Sequence, residues 1–563
     1  RNIFFLFSFL LIVSTSNKEY IFNDTVSYLE ISNLILKGQF YDSFNSYWSP
    51  LYPIVVSFFS LLLFQIEDPY LIIQTASIFI YLIQTYCFYF FLKTFLKYNI
   101  IDEKNYLDKN TILIFGLLLY LICCHFFIPS SFKTPDTLVG CFLFLSFAKI
   151  ISLTKEENNN IPYILLGLFL GLGYLSKTYF FVVSIFIIIL MFSYDFIYKR
   201  SFSKTFLTTI IFLLISLPFV LIISIKNNGL TIGNAGKYNL YENINYNTEP
   251  FPFSNQWEKH SSISSKSKIQ LINKKPNIYK INYDTKTDPT FPIWYDPSYF
   301  YNIDKIKMNI NYSKVFPKFI ENSKHTLHYF KRTLKQFFFA EIIEINFKQF
   351  LFPYFIVVLF FFCKIHKSEW FYKNITIIFL LATTLFSIFI FNLSRVESRY
   401  LYPFIIILSF ISIIYFPYNR FIDKKKIIMR LITFSIVTIN IYAFLFIILS
   451  NFNSDKYKFD YLGISNGIKN LNLDKNSSVA VVGSGGDFPK IAILLNLKIT
   501  HFISPEKINN FDINNDKMIN NTINILNKES VDAIFYHSEN PIINNKFFKK
   551  IRDTGYYYLI INN

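Results

Sequence analysis

The chain has 563 residues, 52% of them hydrophobic and 20% aromatic, with a mean hydropathy of +0.34, which excludes both an ordinary water-soluble enzyme and a disordered polymer. Its formal net charge of +18 raises nucleic acid as a partner, but the Lys and Arg residues are spread among loops between apolar runs instead of gathered on one face. No nucleic-acid partner is therefore expected, and a polytopic α-helical membrane protein is.

A membrane-crossing helix needs about 20 apolar residues, with a range of roughly 17 to 25. Runs near 2–16, 70–93, 111–129, 137–153, 161–176, 178–197, 205–225, 349–365, 374–392, 400–417 and 430–450 meet or come close to that length, and another, shorter, lies at 51–65. The first run has no small-residue cleavage site after it and reads as an anchor, not a signal peptide. The short length of 51–65, with Pro50 just before it and Pro53 in its first residues, suits a re-entrant or interfacial segment better than a crossing. About eleven transmembrane helices result. The five cysteines, Cys87, Cys123, Cys124, Cys141 and Cys363, all fall inside apolar runs, so neither a disulfide framework nor a zinc-type spacing is legible. The abundance of Asn, Ile, Lys and Phe matches AT-rich codons and is discounted before any Lys or Asn is given a role.

The basic loops "FLKTFLKYN" (91–99), "KIISLTKEE" (149–157), "YKRSFSK" (198–204), "KIHKSEWFYK" (364–373) and "NRFIDKKKIIMR" (419–430) belong on one side by the positive-inside rule. They share the cytoplasm only if 51–65 does not cross. The stretches 17–69, 129–136, 226–348 and everything after about 451 then face outward, in a plasma membrane of the bacterial inner-membrane type.

Asp24 stands in the first outer loop, and Asp136, within "PSSFKTPDTL", stands at the next. An acid just past a helix end is commonly a cap or a solvated turn residue. Two carboxylates on neighbouring outer loops can instead converge on one site. The loop "NDTVSYLEISNLILKGQF" resembles the D-x-x-x-Y-x-x-x-A-x-x-x-x-x-G stretch in the first outer loop of GT-C glycosyltransferases, in the protein O-mannosyltransferase-like and aminoarabinose-transferase-like branch. "WSPLYPIV", "PDTLVGCFLF", "LGLFLGLGYLSKTYFF" and "ESRYLYPFI" are similar to further motifs of that branch and occur in its order over residues 1–420.

The resemblance implies transfer of a sugar from a polyprenyl monophosphate donor to a glycan, lipid or protein acceptor on the outer side, among membrane lipids. It implies Asp24 as general base and Asp136 as the second acidic position, orienting the acceptor or helping to hold a divalent cation. No metal ligand set is assignable from these residues. The departing phosphate needs positive charge, for which Lys177, Arg395 and Arg399, all at outer span ends, are the candidates. Arginine suits phosphate through its planar, permanently charged fork. Tyr28, Trp48, Tyr52 and Tyr400 are candidate substrate contacts, although aromatic residues at this level also form interfacial belts. Where the aminoarabinose-transferase branch has an acid and a lysine, this chain has Trp48 and Ser49, so modification of lipid A does not carry over. Two other classes stay open: a lipid-linked glycan flippase or transporter, which would favour paired halves and broken helices, and a non-catalytic scaffold for envelope assembly.

The long loop 226–348 ends in "KHTLHYFKRTLKQFF" (324–338), which reads as an interfacial helix; His325 and His328 lack a third metal ligand. After 451 the pattern changes. "SVAVVGSGG" (478–486), "LKITHFIS" (497–504), "VDAIFYHS" (531–538) and "GYYYLIIN" (555–562) read as strands separated by helices, predicting an extracytoplasmic α/β domain over 451–563 with a mostly parallel sheet, beside a membrane domain over 1–450. "GSGG" lacks the full dinucleotide-binding spacing and reads as a strand-to-helix turn.

Overall fold

The computed structural model describes residues 9, 12, 21–98, 109–128, 132–153, 159–245, 269–281, 290, 291, 295, 312–338, 375–414, 461–469, 471, 473, 474, 476–482, 488–503, 511–513, 515–537, 545–551 and 554–561. The apolar runs form helices at nearly the predicted bounds. These are α3 (Leu51–Leu62), α4 (Pro69–Tyr98), α5 (Lys109–Phe127), α6 (Asp136–Leu153), α7 (Ile161–Ser176), α8 (Phe180–Ile197), α9 (Ser203–Lys226), α12 (Ile375–Leu393) and α13 (Ser398–Ile414). Among the described residues, α4, α6, α8, α9 and α12 are long and apolar enough to cross a membrane, and shorter apolar helical stretches lie at Leu51–Leu62, Lys109–Cys124, Ile161–Ser176 and Ser398–Ser412. Apart from residues 9 and 12, the predicted runs near 2–16, 349–365 and 430–450 lie outside the described residues.

Helix direction decides where the polar ends meet. Helices α4, α6, α8 and α13 begin, and α7, α9 and α12 end, at one end of the bundle, which collects Asp136, Lys177 and Arg399. The opposite end of α4 carries Lys93 and Lys97, and Arg200 lies beyond the opposite end of α8. The small-residue spacing of "LGLFLGLG" has a packing cause. A Cβ added at Gly167 would stand 2.5 Å from the Thr208 carbonyl oxygen, and one at Gly171 2.7 Å from Ile215, so the two glycines let α7 lie against α9.

Helix α3 has 12 residues, a length of roughly 18 Å, too short for a hydrocarbon core of about 30 Å. It packs on α1 (Asn23–Leu36) and on α4, and leaves Phe58, Leu61 and Phe64 exposed at its far end. Within the first loop, the single turn α2 (Phe40–Ser43) is tied to the end of α9, where the Lys226 ammonium donates to the carbonyls of Tyr41 and Phe44.

Helix α10 (Ala235–Asn245) follows α9, and α11 (Tyr312–Phe338) packs against α5, α12 and α13. Its Asn322 donates to the Asn392 carbonyl at 2.9 Å and its Thr326 to the Asn392 side chain at 2.6 Å, while Phe316 and Leu327 stay exposed.

The C-terminal segments build helices α14 (Tyr461–Lys469), α15 (Phe488–Leu495) and α16 (Asp516–Lys528) and a seven-stranded sheet. Its strands are β1 (Ile269–Lys274), β2 (Asn277–Ile281), β3 (Ser478–Val482), β4 (Lys498–Ile503), β5 (Ala533–His537), β6 (Lys549–Lys550) and β7 (Tyr556–Ile560), in the order β1-β2-β4-β3-β5-β7-β6. The expectation of a mostly parallel sheet is corrected. Among the described residues, β3–β4 and β3–β5 are parallel, and the other four pairings are antiparallel. The βα units around α15 and α16 force the central parallel pairs, because parallel neighbours need a crossover. The edges come from the antiparallel return of β7 and from the β1–β2 hairpin.

That hairpin belongs to the long stretch between α9 and α12, so the sheet takes strands from both sides of residue 450. Val479, Val481, Phe502 and Phe535 alternate onto a face whose core is continuous with that of the helix bundle. Ala480, Val482, Ile503 and Ile534 line the other face, covered by Ile519 and Leu526 of α16. Strand β3 ends at Val482 and α15 starts at Phe488, which places "GSGG" between strand and helix; residues 483–487 lie outside the described residues.

Candidate active site

Asp24 is the second residue of α1, whose first turn follows Phe22 in extended backbone. Asp136 opens α6 directly after Pro135, a residue whose fixed φ suits a helix start. Lys177 ends α7 in extended backbone, and Arg399 is the second residue of α13. Four helix ends from distant parts of the chain thus deliver one charged cluster.

Arg399 is its hub. The guanidinium donates from Nη1 to Asp24 Oδ2 at 3.1 Å and from Nε to Glu397 Oε2 at 2.6 Å, and Nε stands 4.0 Å from Asp136 Oδ2. The Lys177 ammonium donates to Asp136 Oδ1 at 2.5 Å and sits 3.9 Å over the Tyr400 ring. Thr134 donates to Asp136 Oδ2 at 2.9 Å. From the wall behind, the Tyr402 hydroxyl donates to the Asp136 carbonyl at 3.1 Å, an approach that Gly140 permits because a Cβ there would collide with that hydroxyl.

The two aspartates differ in access. The Asp136 side chain is 3% exposed and engaged by Lys177 and Thr134, whereas the Asp24 side chain is 29% exposed. Asp24 is therefore the more accessible of the two carboxylates, bonded to Arg399 on the cavity wall. Burial pushes the Lys177 ammonium below its ordinary range, with Asp136 opposing that shift. Burial pulls the Glu397 carboxyl upward, but Arg399 and then Arg395 outweigh it and hold the group below the usual carboxylate range.

Asp24, Asp136, Lys177, Arg395, Arg399, Tyr28, Trp48 and Tyr400 all line one cavity of about 530 Å³, a size typical of small-ligand sites. Arg395 sits toward solvent, 42% exposed, bonded to Glu397 at 2.7 Å. Tyr28 and Trp48 form an aromatic wall, edge to face at 5.0 Å. Tyr52 stands behind that wall and is not among the lining residues: fully buried, it packs edge-on against Tyr28 at 5.0 Å and shares a hydrogen bond with Ser77 at 2.9 Å.

Sequence reasoning passed over Glu397, Tyr179, Tyr238 and Lys490, which also line the cavity. Glu397 had a signal, a carboxylate two residues from an arginine on either side. Tyr238 and Lys490 had none, since their positions depend on how the long loop and the C-terminal sheet fold back. Among the described residues no group of three His, Cys, Asp or Glu side chains is placed to hold a metal ion, His325 and His328 included. The cavity carboxylates bond to protein cations instead.

No protein-family model and no curated protein matches the sequence. Solved structures do. ArnT from Cupriavidus metallidurans bound to undecaprenyl phosphate superposes with a TM-score of 0.51 at 10% identity, over 100% of this chain and 98% of that one. The same enzyme in the apo state gives 0.50 at 9% identity, over 98% and 96%. The Archaeoglobus fulgidus oligosaccharyltransferase in complex with Zn and sulfate gives 0.50 at 11% identity, over 95% of this chain and 67% of that one. The chain therefore has the GT-C fold, from the bundle through the C-terminal α/β region.

Proposed function

We propose that the protein is a membrane glycosyltransferase that moves a sugar from a polyprenyl-phosphate donor to an acceptor on the outer face of a plasma membrane, with Asp24 as general base. The observation that carries this reading is the Asp24–Arg399 pair, 3.1 Å apart, on a cavity that also holds the Asp136–Lys177 pair. A base and a phosphate-binding cation stand side by side, as the reaction needs. Support also comes from the fold, since ArnT of the same fold was crystallised with undecaprenyl phosphate.

In the proposed reaction the donor phosphate takes the Arg399 fork, assisted by Lys177. Arg399 is thereby drawn from Asp24, whose carboxylate is left able to accept a proton. The acceptor's O–H or N–H nucleophile attacks the anomeric carbon as the carbon–oxygen bond to phosphate breaks. The bonding electrons leave with the polyprenyl monophosphate, and the acceptor proton goes to Asp24. Asp136, fixed by Lys177 and Thr134, orients Lys177 and the start of α6. Trp48 and Tyr28 offer ring faces and edges to the sugar.

The test is release of polyprenyl monophosphate from lipid-linked sugars of the native host by the purified full chain in sealed proteoliposomes, with gain of the sugar by a co-supplied membrane extract. Release coupled to transfer is expected. Movement of intact lipid-linked sugar across the bilayer without bond cleavage would instead establish the flippase reading.

The orientation makes a separate prediction. In a chain with its five cysteines replaced, single cysteines at Lys37 and Asn527, both exposed, are expected to react with a membrane-impermeant thiol reagent in intact cells. Cysteines at Lys93 or Lys97, also exposed but at the opposite end of the bundle, are expected to react only after lysis. Labelling of Lys97→Cys from outside would make 51–62 a crossing segment and invert every loop after it.

A further inference from the structure

Helix α11 lies across one end of the bundle. From Phe319 to Thr333 its contacts pass from the last turn of α12 to the last turn of α5. Phe319 packs on Phe389 at 5.5 Å, Asn322 and Thr326 bond Asn392, Tyr329 packs on Phe127 at 5.7 Å, and the Cys123 thiol donates to the Thr333 hydroxyl. That stretch of α11 is roughly 21 Å long, yet each of these partners lies within about one turn of a helix end. It is the end that collects Asp136 and Arg399, since Ser398, at the start of α13, donates to the Phe127 carbonyl at 3.4 Å.

Helix α12 is long and apolar enough to cross a membrane, so its last turn stands where hydrocarbon gives way to headgroups, and α11 stands at that level with it. Phe389, the α12 residue that meets Phe319, is itself 48% exposed and so faces away from the bundle. The free face of α11 continues that surface. Phe316, Ile320 and Leu327 are 69%, 42% and 48% exposed, and 3.6 residues per turn puts them within about 40° of one another. Lys331 and Lys324, both exposed, follow about 40° to 60° further round. Going round the helix, the order is bundle-facing residues, apolar stripe, lysines. A helix at a lipid boundary needs that order, with its apolar side chains beside the acyl chains and its ammonium groups reaching up to headgroup phosphates. The helix carries six Lys and Arg residues and a single acid, Glu321, which bonds Lys318 at 3.0 Å. Among the described residues neither Lys324 nor Lys331 is ion-paired, so a net negative surface complements this face.

We propose that the exposed face of α11 docks in the headgroup layer of one leaflet and selects phospholipids with a net negative headgroup. This goes beyond the glycosyltransferase reading and does not depend on it.

The test uses the full chain with its five cysteines replaced and a bimane label on Leu327→Cys, in vesicles of equal parts phosphatidylcholine and phosphatidylglycerol. A doxyl group is carried on the acyl chain of one lipid or of the other. Doxyl-phosphatidylglycerol is expected to quench the label in preference to doxyl-phosphatidylcholine by at least about fivefold in relative association constant, the factor that one lysine near an anionic surface supplies. Lys324→Gln combined with Lys331→Gln should bring that ratio to about one, and the corresponding pair of arginines should restore it. All of these positions are exposed, so the packing on α5 and α12 should survive the substitutions. A label on Phe316→Cys reports the other end of the stripe and should give the same preference. Equal quenching by the two lipids in the chain that keeps both lysines overturns the proposal, as does a preference that the glutamine pair leaves unchanged. A label quenched by aqueous iodide and by neither lipid sets this face against water or another protein, and overturns it too.

Discussion

Asp24→Asn is expected to insert, fold and bind donor almost as wild type does, and to transfer sugar at least about a hundredfold more slowly. Asparagine preserves the size of the side chain and an oxygen that can still accept from Arg399 Nη1, the bond seen at 3.1 Å. It abolishes proton acceptance. Removal of a positioned general base commonly costs about 10²- to 10⁴-fold in rate, and an interaction used only in the transition state lowers kcat without raising KM. A structural role for Asp24 at the start of α1 predicts something else, since a change confined to the first turn of a helix shifts stability by about 1 kcal/mol and leaves turnover nearly intact. Single-turnover transfer from a lipid-linked donor, measured beside donor affinity, separates the two. Wild-type turnover by Asp24→Asn removes the catalytic role.

Arg399→Ala is expected to weaken donor binding by about 10- to 100-fold, from charge-assisted hydrogen bonds worth about 1.5–3 kcal/mol. Arg399→Lys should recover part of that, because lysine keeps the charge but loses the planar fork. The alanine variant also leaves Asp24, Glu397 and Asp136 without their shared partner. Breaking one side of a buried ion pair costs about 3–5 kcal/mol, so a lower melting temperature is expected along with the loss of affinity. Arg399→Lys separates the two effects. If it restores thermal stability but not affinity, the fork itself is what the phosphate requires. Donor affinity unchanged in both variants removes Arg399 from the site.

Much of the membrane part could be read from the chain alone, because a long apolar run in lipid has one stable form. With no water to satisfy its amides, the backbone closes its own hydrogen bonds, and span length follows from bilayer thickness. That is why α4, α6, α8, α9 and α12 fall close to the runs counted in the sequence. The short run at 51–65 likewise forms a helix, of only twelve residues. Asp24, Asp136, Lys177 and Arg399 were legible as a set because each sits where an apolar run begins or ends, on loops that parity places on one side.

What the sequence determined by itself was therefore one-dimensional: where helices start and stop, which ends carry charge, and that strands and helices alternate after 451. Tertiary structure alone decided which of those charges meet. Arg399 bonds Asp24 across 375 positions of chain, and no local pattern encodes that distance. Tyr52 shows the converse. Its motif neighbourhood pointed to substrate, but the packing of α3 on α1 and α4 turned the ring behind Tyr28 and gave its hydroxyl to Ser77. The sheet was misjudged for a related reason. Alternation of strands and helices specifies the parallel crossovers around β3, but an antiparallel edge is added wherever a hairpin from elsewhere satisfies the open backbone groups of β4, and the β1–β2 hairpin comes from more than 190 residues upstream. The same fold-back delivers Lys490 to a cavity built by the helix bundle. Hydrogen bonds and apolar burial act on groups that are near in space, and only the folded chain sets which groups those are.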